Sequence, residues 1–148
     1  MANYIEVKVS YTRMQENRKS KKVTDAYIVD ALSFTEAEAL IIAELESYQY
    51  ADMDVCAVRK SNIKEIQIGD TCDALKFYKA KLQFISIDEK NGEERLTPHF
   101  VLVQASDIKA ALKQVDDLMR GSMVDYNIHT IAETGIVDVF ENVNNREE

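Results

Sequence analysis

Five cations fall within ten residues: Arg13, Arg18, Lys19, Lys21 and Lys22, with Glu16 the one opposing charge in the run. In a chain of net charge −8 this is a local inversion of sign. Such a cluster suits an anion site, or a contact with an acidic surface of another subunit. It could equally be a solvated hairpin tip. Tyr11 and Tyr27 flank it. Their rings could stack on a base, or they could be core residues of the strands that carry them. Lys79 and Lys81 form a second, smaller basic feature on a strand-like segment. The candidate ligand-binding residues are therefore Tyr11, Arg13, Arg18, Lys19, Lys21, Lys22, Lys79 and Lys81.

Other chemistry is poorly represented. His99 and His129 stand apart, with no second ligand type near either in sequence, whereas a zinc site needs three or four ligands at workable spacing. No metal and no cofactor is expected. Asp52, Asp54, Asp116 and Asp117 are the candidate carboxylate pairs, but general acid–base work needs a cleft that splits their pKa values. Phosphate-loop, dinucleotide, zincin and nucleophile-elbow motifs are missing, and four glycines leave little for a phosphate-cradling loop. Cys56 and Cys72 fit no disulfide or zinc framework and read as reduced thiols. These observations predict a protein that is not an enzyme.

The elements that must position the cations are strands and helices of an α+β protein. In Tyr4 to Thr12, Ile5, Val7, Val9 and Tyr11 alternate with polar residues, the pattern of a half-buried strand. Arg13 to Lys22 reads as a polar connector, and Val23 to Ala31 as the returning strand. Ser33 and Glu36 form a capping box opening a helix. Its stripe is Phe34, Ala37, Ile41, Leu45 and Tyr48. Val55 to Val58 and the Ile63–Ile68 run are further extended segments. The plan then repeats. Phe77 to Phe84 alternates, Asn91-Gly92 signals a tight turn, and Phe100 to Ala105 returns. Ser106 is expected to cap a helix carrying Ile108, Ala111, Leu112, Val115 and Met119, ended by Gly121. Tyr126 to Ile131 and Ile136 to Phe140 are the last extended segments.

A constant shift of 73 superposes the halves: Lys8 falls on Lys81, Ser33 on Ser106, Ala37 on Ala110, Leu45 on Leu118 and Ile63 on Ile136. The expected fold is two tandem ββαβ repeats related by a pseudo-two-fold, each an antiparallel sheet covered by one helix. Residues 1–68 make the first repeat, 69–76 the connector, 77–141 the second repeat and 142–148 a polar tail. One helix covers one sheet face. The other face, carrying Glu6, Lys8 and Ser10 in the first repeat, must be solvated or line an interface between units or subunits. The tips differ in sign, because Asp88 to Arg95 in the second half is net acidic.

The 148 residues suffice for a core without staples. No apolar run approaches the length of a membrane span, and no secretory signal is visible at the N-terminus. The acidic balance disfavours general nucleic-acid binding and association with anionic membranes.

Val29 to Ala39 (VDALSFTEAEA) resembles the signature of an uncharacterised domain-of-unknown-function family of roughly 150 residues. Asp88 to Gly92, Leu102 to Ser106 and Ile136 to Phe140 resemble its later blocks. That family is known from Bacteroidetes and their phages and mobile elements. The resemblance transfers no activity and no functional residue. It implies a bacterial host cytoplasm. With the basic cluster, it leads to the expectation of a non-enzymatic binding protein, homo-oligomeric, that captures an anionic small molecule such as a nucleotide signal, or a host protein. The alternative expectation is a nucleic-acid accessory protein using the basic hairpin as an arm.

Overall fold

The computed structural model describes residues 3–69 and 76–141. In chain order the elements are β1 (Tyr4–Met14), β2 (Ser20–Asp30), α1 (Phe34–Leu45), a 3-10 turn (Glu46–Tyr48), β3 (Ala51–Lys60), β4 (Ile63–Gln67), β5 (Lys76–Ile87), β6 (Glu94–Ala105), α2 (Ile108–Met119), β7 (Asp125–Glu133) and β8 (Ile136–Phe140). They form two four-stranded sheets and two helices, an α+β arrangement. Cys72, most of the 69–76 connector and the 142–148 tail lie outside the described residues.

The strand order is β3-β1-β2-β8 in one sheet and β4-β6-β5-β7 in the other. The sheets are not purely antiparallel. The hairpins and the third strands pair antiparallel, but β8 runs parallel to β2 and β4 runs parallel to β6. Each sheet therefore takes its fourth strand from the other half of the sequence. The compact units follow this exchange: of the described residues, one comprises 3–62 and 135–141, the other 63–69 and 76–134. Alternation of apolar residues could identify β4 and β8 as strands; it carries no information about which hairpin each would join.

In the first unit Ile5, Val7 and Val9 of β1 and Tyr27, Val29 and Ala31 beside them pack beneath Ala37, Ile41 and Leu45 of α1. In the second, Tyr78, Ala80 and Leu82 with Val101, Val103 and Ala105 pack beneath Ala111, Val115 and Met119 of α2. The helix stripes are narrower than their sequence periodicity: Phe34, Tyr48, Ile108 and Leu112 are exposed. The sheet faces turned away from the helices are not simply solvated, since Ser10, Ile28, Phe77 and Leu102 are buried there.

The shift of 73 holds for some elements and fails for others. Val7 pairs with Val58 and Ala80 with Ile131, so first and third strands correspond at 73. Val7 also pairs with Tyr27, but Ala80 pairs with Val101, a shift of 74. The helices follow the second strands, because the buried trio Ala37, Ile41, Leu45 matches Ala111, Val115, Met119. The extra residue sits in the turn. The first hairpin closes with Gln15 N–H donating to Lys19 O, and the second with Asp88 N–H donating to Glu93 O, one residue longer.

This shift moves a cap. Ser33 accepts a hydrogen bond from the Glu36 N–H, as expected, and the Glu36 carboxylate accepts from the Leu32 N–H. In α2 the cap is Asp107, whose carboxylate accepts from the Ala110 N–H at 2.8 Å; Ser106 is not the cap. Asp107→Ala is expected to destabilise the protein by about 1 kcal/mol and Ser106→Ala by much less. Urea denaturation of the two variants checks this, and equal losses would return the cap to Ser106.

Candidate basic and aromatic site of the first unit

The basic residues do not sit on a long loop. Pairing of β1 with β2 continues to Met14↔Ser20, and Arg13 lies directly opposite Lys21. Only Gln15 to Lys19 turn the chain, with Arg18 N–H donating to Gln15 O. The hairpin outruns α1, so its end has no helix above it and Arg13, Arg18, Lys19, Lys21 and Lys22 are all exposed. Strand alternation puts Arg13 and Lys21 on the helix-side face with Tyr11, Val23 and Asp25, and Lys22 on the other. None of the five cations forms a salt bridge among the described residues.

Behind the cations lies a tyrosine cluster. The Tyr11 hydroxyl donates to Asp25 Oδ2 at 2.9 Å. Tyr50 stacks on Tyr11 with ring centroids 3.9 Å apart and planes 10° off parallel, and on Tyr48 at 5.5 Å. Tyr27 stacks on Phe140 of β8 at 5.7 Å. Burial, reinforced by the Asp25 carboxylate, pushes the Tyr11 phenol up to about 12. The same two causes raise Tyr27 further. Both phenols thus stay protonated through neutral pH, and Tyr11 acts as a donor.

Two recesses open at this end. One, of about 600 Å³, is lined by Arg13, Met14, Glu16, Asn17, Lys21 and Val23, among others. The other, of about 530 Å³, is lined by Tyr11, Thr12, Arg13, Gln49 and Tyr50, among others. Arg13 and Met14 line both.

The backbone at this end is held in unusual conformations. Arg18 (φ 65), Gln49 (φ 52) and Asp52 (φ 55) are in the left-handed region. Arg18 occupies the hairpin turn, Gln49 ends the 3-10 turn before Tyr50, and Asp52 lies where the β1–β3 register slips between Ser10 and Thr12. In the second unit the hairpin turn and the α2–β7 connection use Gly92 (φ 70) and Gly121 (φ 90) instead. Long side chains at such φ cost on the order of 1 kcal/mol relative to glycine, and such residues concentrate at functional sites. Arg18→Gly is therefore expected to stabilise the protein by up to about 1 kcal/mol. Chemical denaturation reads this, and a destabilised variant would show that the Arg18 side chain holds the turn.

Lys79 and Lys81 are placed differently. They lie on β5 in the second unit, half-buried, with the Lys79 ammonium 4.8 Å from the centre of the Phe100 ring. His99, in the same unit, stacks on Phe84 at 4.4 Å and meets Glu65 at 2.7 Å, while His129 is exposed on β7. Cys56 is exposed. Among the described residues no cluster of His, Cys, Asp or Glu could hold a metal ion, and no helix is long and apolar enough to cross a membrane.

Asp25, Gln49 and Tyr50 are site residues that sequence reasoning missed. The signal available was Tyr48-Gln49-Tyr50, a spacing of two that fits a strand and not the helix it follows. No curated protein and no solved structure matches the chain. A family model described as a domain of unknown function (DUF4494) matches residues 3–142, and the chain belongs to that family.

Proposed function

We propose that this protein is a non-enzymatic binding module that takes an anionic small molecule at the open end of its first hairpin. The observation that carries this reading is the set of five cations that form no ion pair among the described residues, in a chain of net charge −8. Arg13 and Lys21 stand opposite one another, and like charges in that position destabilise a strand pair. An anion between them turns that repulsion into charge-assisted hydrogen bonding. The left-handed Arg18, Gln49 and Asp52 fall at the same end, which supports it further.

The two units are diverged copies of one ββαβ plan in this proposal. The strand order, the fourth-strand exchange and the single-residue difference in turn length support that reading. Divergence then explains why one end is basic and the other, at Asp88 to Glu94, is acidic.

Tripolyphosphate is a suitable probe, because it offers charge without any apolar group. At low salt, a concentration near 100 times Kd adds about 2.7 kcal/mol of stability, a clear rise in Tm. The rise is expected to shrink steeply with added salt. A melting temperature indifferent to tripolyphosphate at low salt would rule the reading out.

A further inference from the structure

We propose that the anion bound here is a nucleoside phosphate, its base entering the recess walled by Tyr11, Gln49 and Tyr50 and its phosphate reaching Arg13 and Lys21. The inference rests on the anion-binding reading above and names the ligand class. An inorganic anion needs only the first recess, where Arg13 and Lys21 face each other with Glu16 as the one acidic neighbour. It gives no role to a second recess of comparable size that shares Arg13 and Met14 with the first. A ligand with a flat apolar part joined to an anionic part uses both.

The second recess has the surfaces a base requires. Tyr50 and Tyr11 already stack face to face at 3.9 Å, so planar groups are accommodated in this orientation. Tyr50 is half-buried, with Tyr11 stacked on it at 3.9 Å and the exposed Tyr48 ring at 5.5 Å, so a base stacks on Tyr50 by taking the place of Tyr48. Stacking on an aromatic side chain contributes roughly 1–3 kcal/mol per base. Met14, 70 % exposed, adds a polarizable and adaptable thioether at the junction of the recesses. Gln49 brings an amide, both donor and acceptor, to the rim, and does so from a left-handed backbone that a glycine would occupy more easily. At the corresponding turns the second unit carries Gly92 and Gly121. A single-stranded nucleic acid would offer the same chemistry repeated, but net charge −8 opposes a long polyanion more than a short one.

Calorimetric titration of the full chain with ATP, tripolyphosphate and a 12-residue oligothymidylate at low salt tests the proposal. ATP is expected to bind at least tenfold more tightly than tripolyphosphate. Tyr50→Leu is expected to remove that advantage and leave tripolyphosphate binding in place. Because Tyr50 packs against the first core, Gln49→Ala serves as a second variant on an exposed residue, with a several-fold loss for ATP and none for tripolyphosphate. Equal affinity for ATP and tripolyphosphate overturns the nucleoside assignment and leaves the anion site standing. Binding of neither probe overturns both readings. Oligothymidylate binding far more tightly than ATP, with a salt dependence to match its length, replaces the nucleotide by a strand.

Discussion

A chain ended at Thr134 is expected to lose the folded structure of its first unit and keep that of its second. The second unit holds β4, β5, β6 and β7, all within residues 63–134. The first depends on β8, which lies beyond the cut and pairs with Ala26 to Val29 of β2. Without β8, β2 becomes an edge strand over a stretch where Tyr27, Ile28 and Val29 are now at most 3 % exposed. Tyr27 also loses Phe140 from its ring face. Loss of a ladder together with core contacts of this size costs on the order of 3–5 kcal/mol, a large share of a domain's stability. Backbone hydrogen exchange should show collapsed protection in β1 and β2 and retained protection in β5 and β6. A peptide of residues 135–141 added in trans should restore protection in β2, since the pairing is local to that strand. Unchanged protection of β2 in the truncated chain would mean that the fourth strand is dispensable.

That dependence was invisible in the sequence for a physical reason. The apolar spacing of Ile63, Ile66 and Ile136 states that the segment is extended, but pairing partners are chosen by geometry that alternation does not encode. The hairpin strands were legible wherever burial alternates, from Ile5 to Val9 and from Tyr78 to Leu82. They were underestimated where pairing continues past the helix. From Thr12 to Met14 and Ser20 to Lys22 both faces carry polar or exposed residues, so backbone hydrogen bonding sustains the ladder without an apolar signature. The cap at Asp107 was misplaced because one turn residue, between Asp88 and Glu93, moved the second strand and helix by one position. In the site itself the cations and Tyr11 could be read from composition. Gln49 and Tyr50 had only the Tyr48–Tyr50 spacing to mark them, which is weak because the helix stripe runs on through Tyr48 and nothing signals a left-handed stop at a glutamine.

The opposed pair Arg13 and Lys21 gives an expectation in which stability and binding move in opposite directions. Lys21→Glu replaces a like-charge cross-strand pair by an attractive one, a gain of roughly 0.2–1 kcal/mol. Both side chains are exposed, so the gain belongs at the low end of that range and fades with salt. The same change puts a carboxylate into the recess that Arg13, Lys21 and Glu16 line, and tripolyphosphate affinity is expected to fall at least about tenfold, or 1.4 kcal/mol. A residue kept only for folding would not behave in this way, since its replacement by a better partner would leave no function to lose. Lys22 provides the control. It is one residue along β2, pairs with Thr12 and faces away from the recess, so Lys22→Glu changes the net charge equally but should weaken binding far less. Melting curves and calorimetric titrations of the two variants decide the matter. If Lys22→Glu weakens tripolyphosphate binding as much as Lys21→Glu does, the anion is held by the diffuse field of the hairpin and not by the recess, because the two lysines carry the same charge on opposite faces of β2.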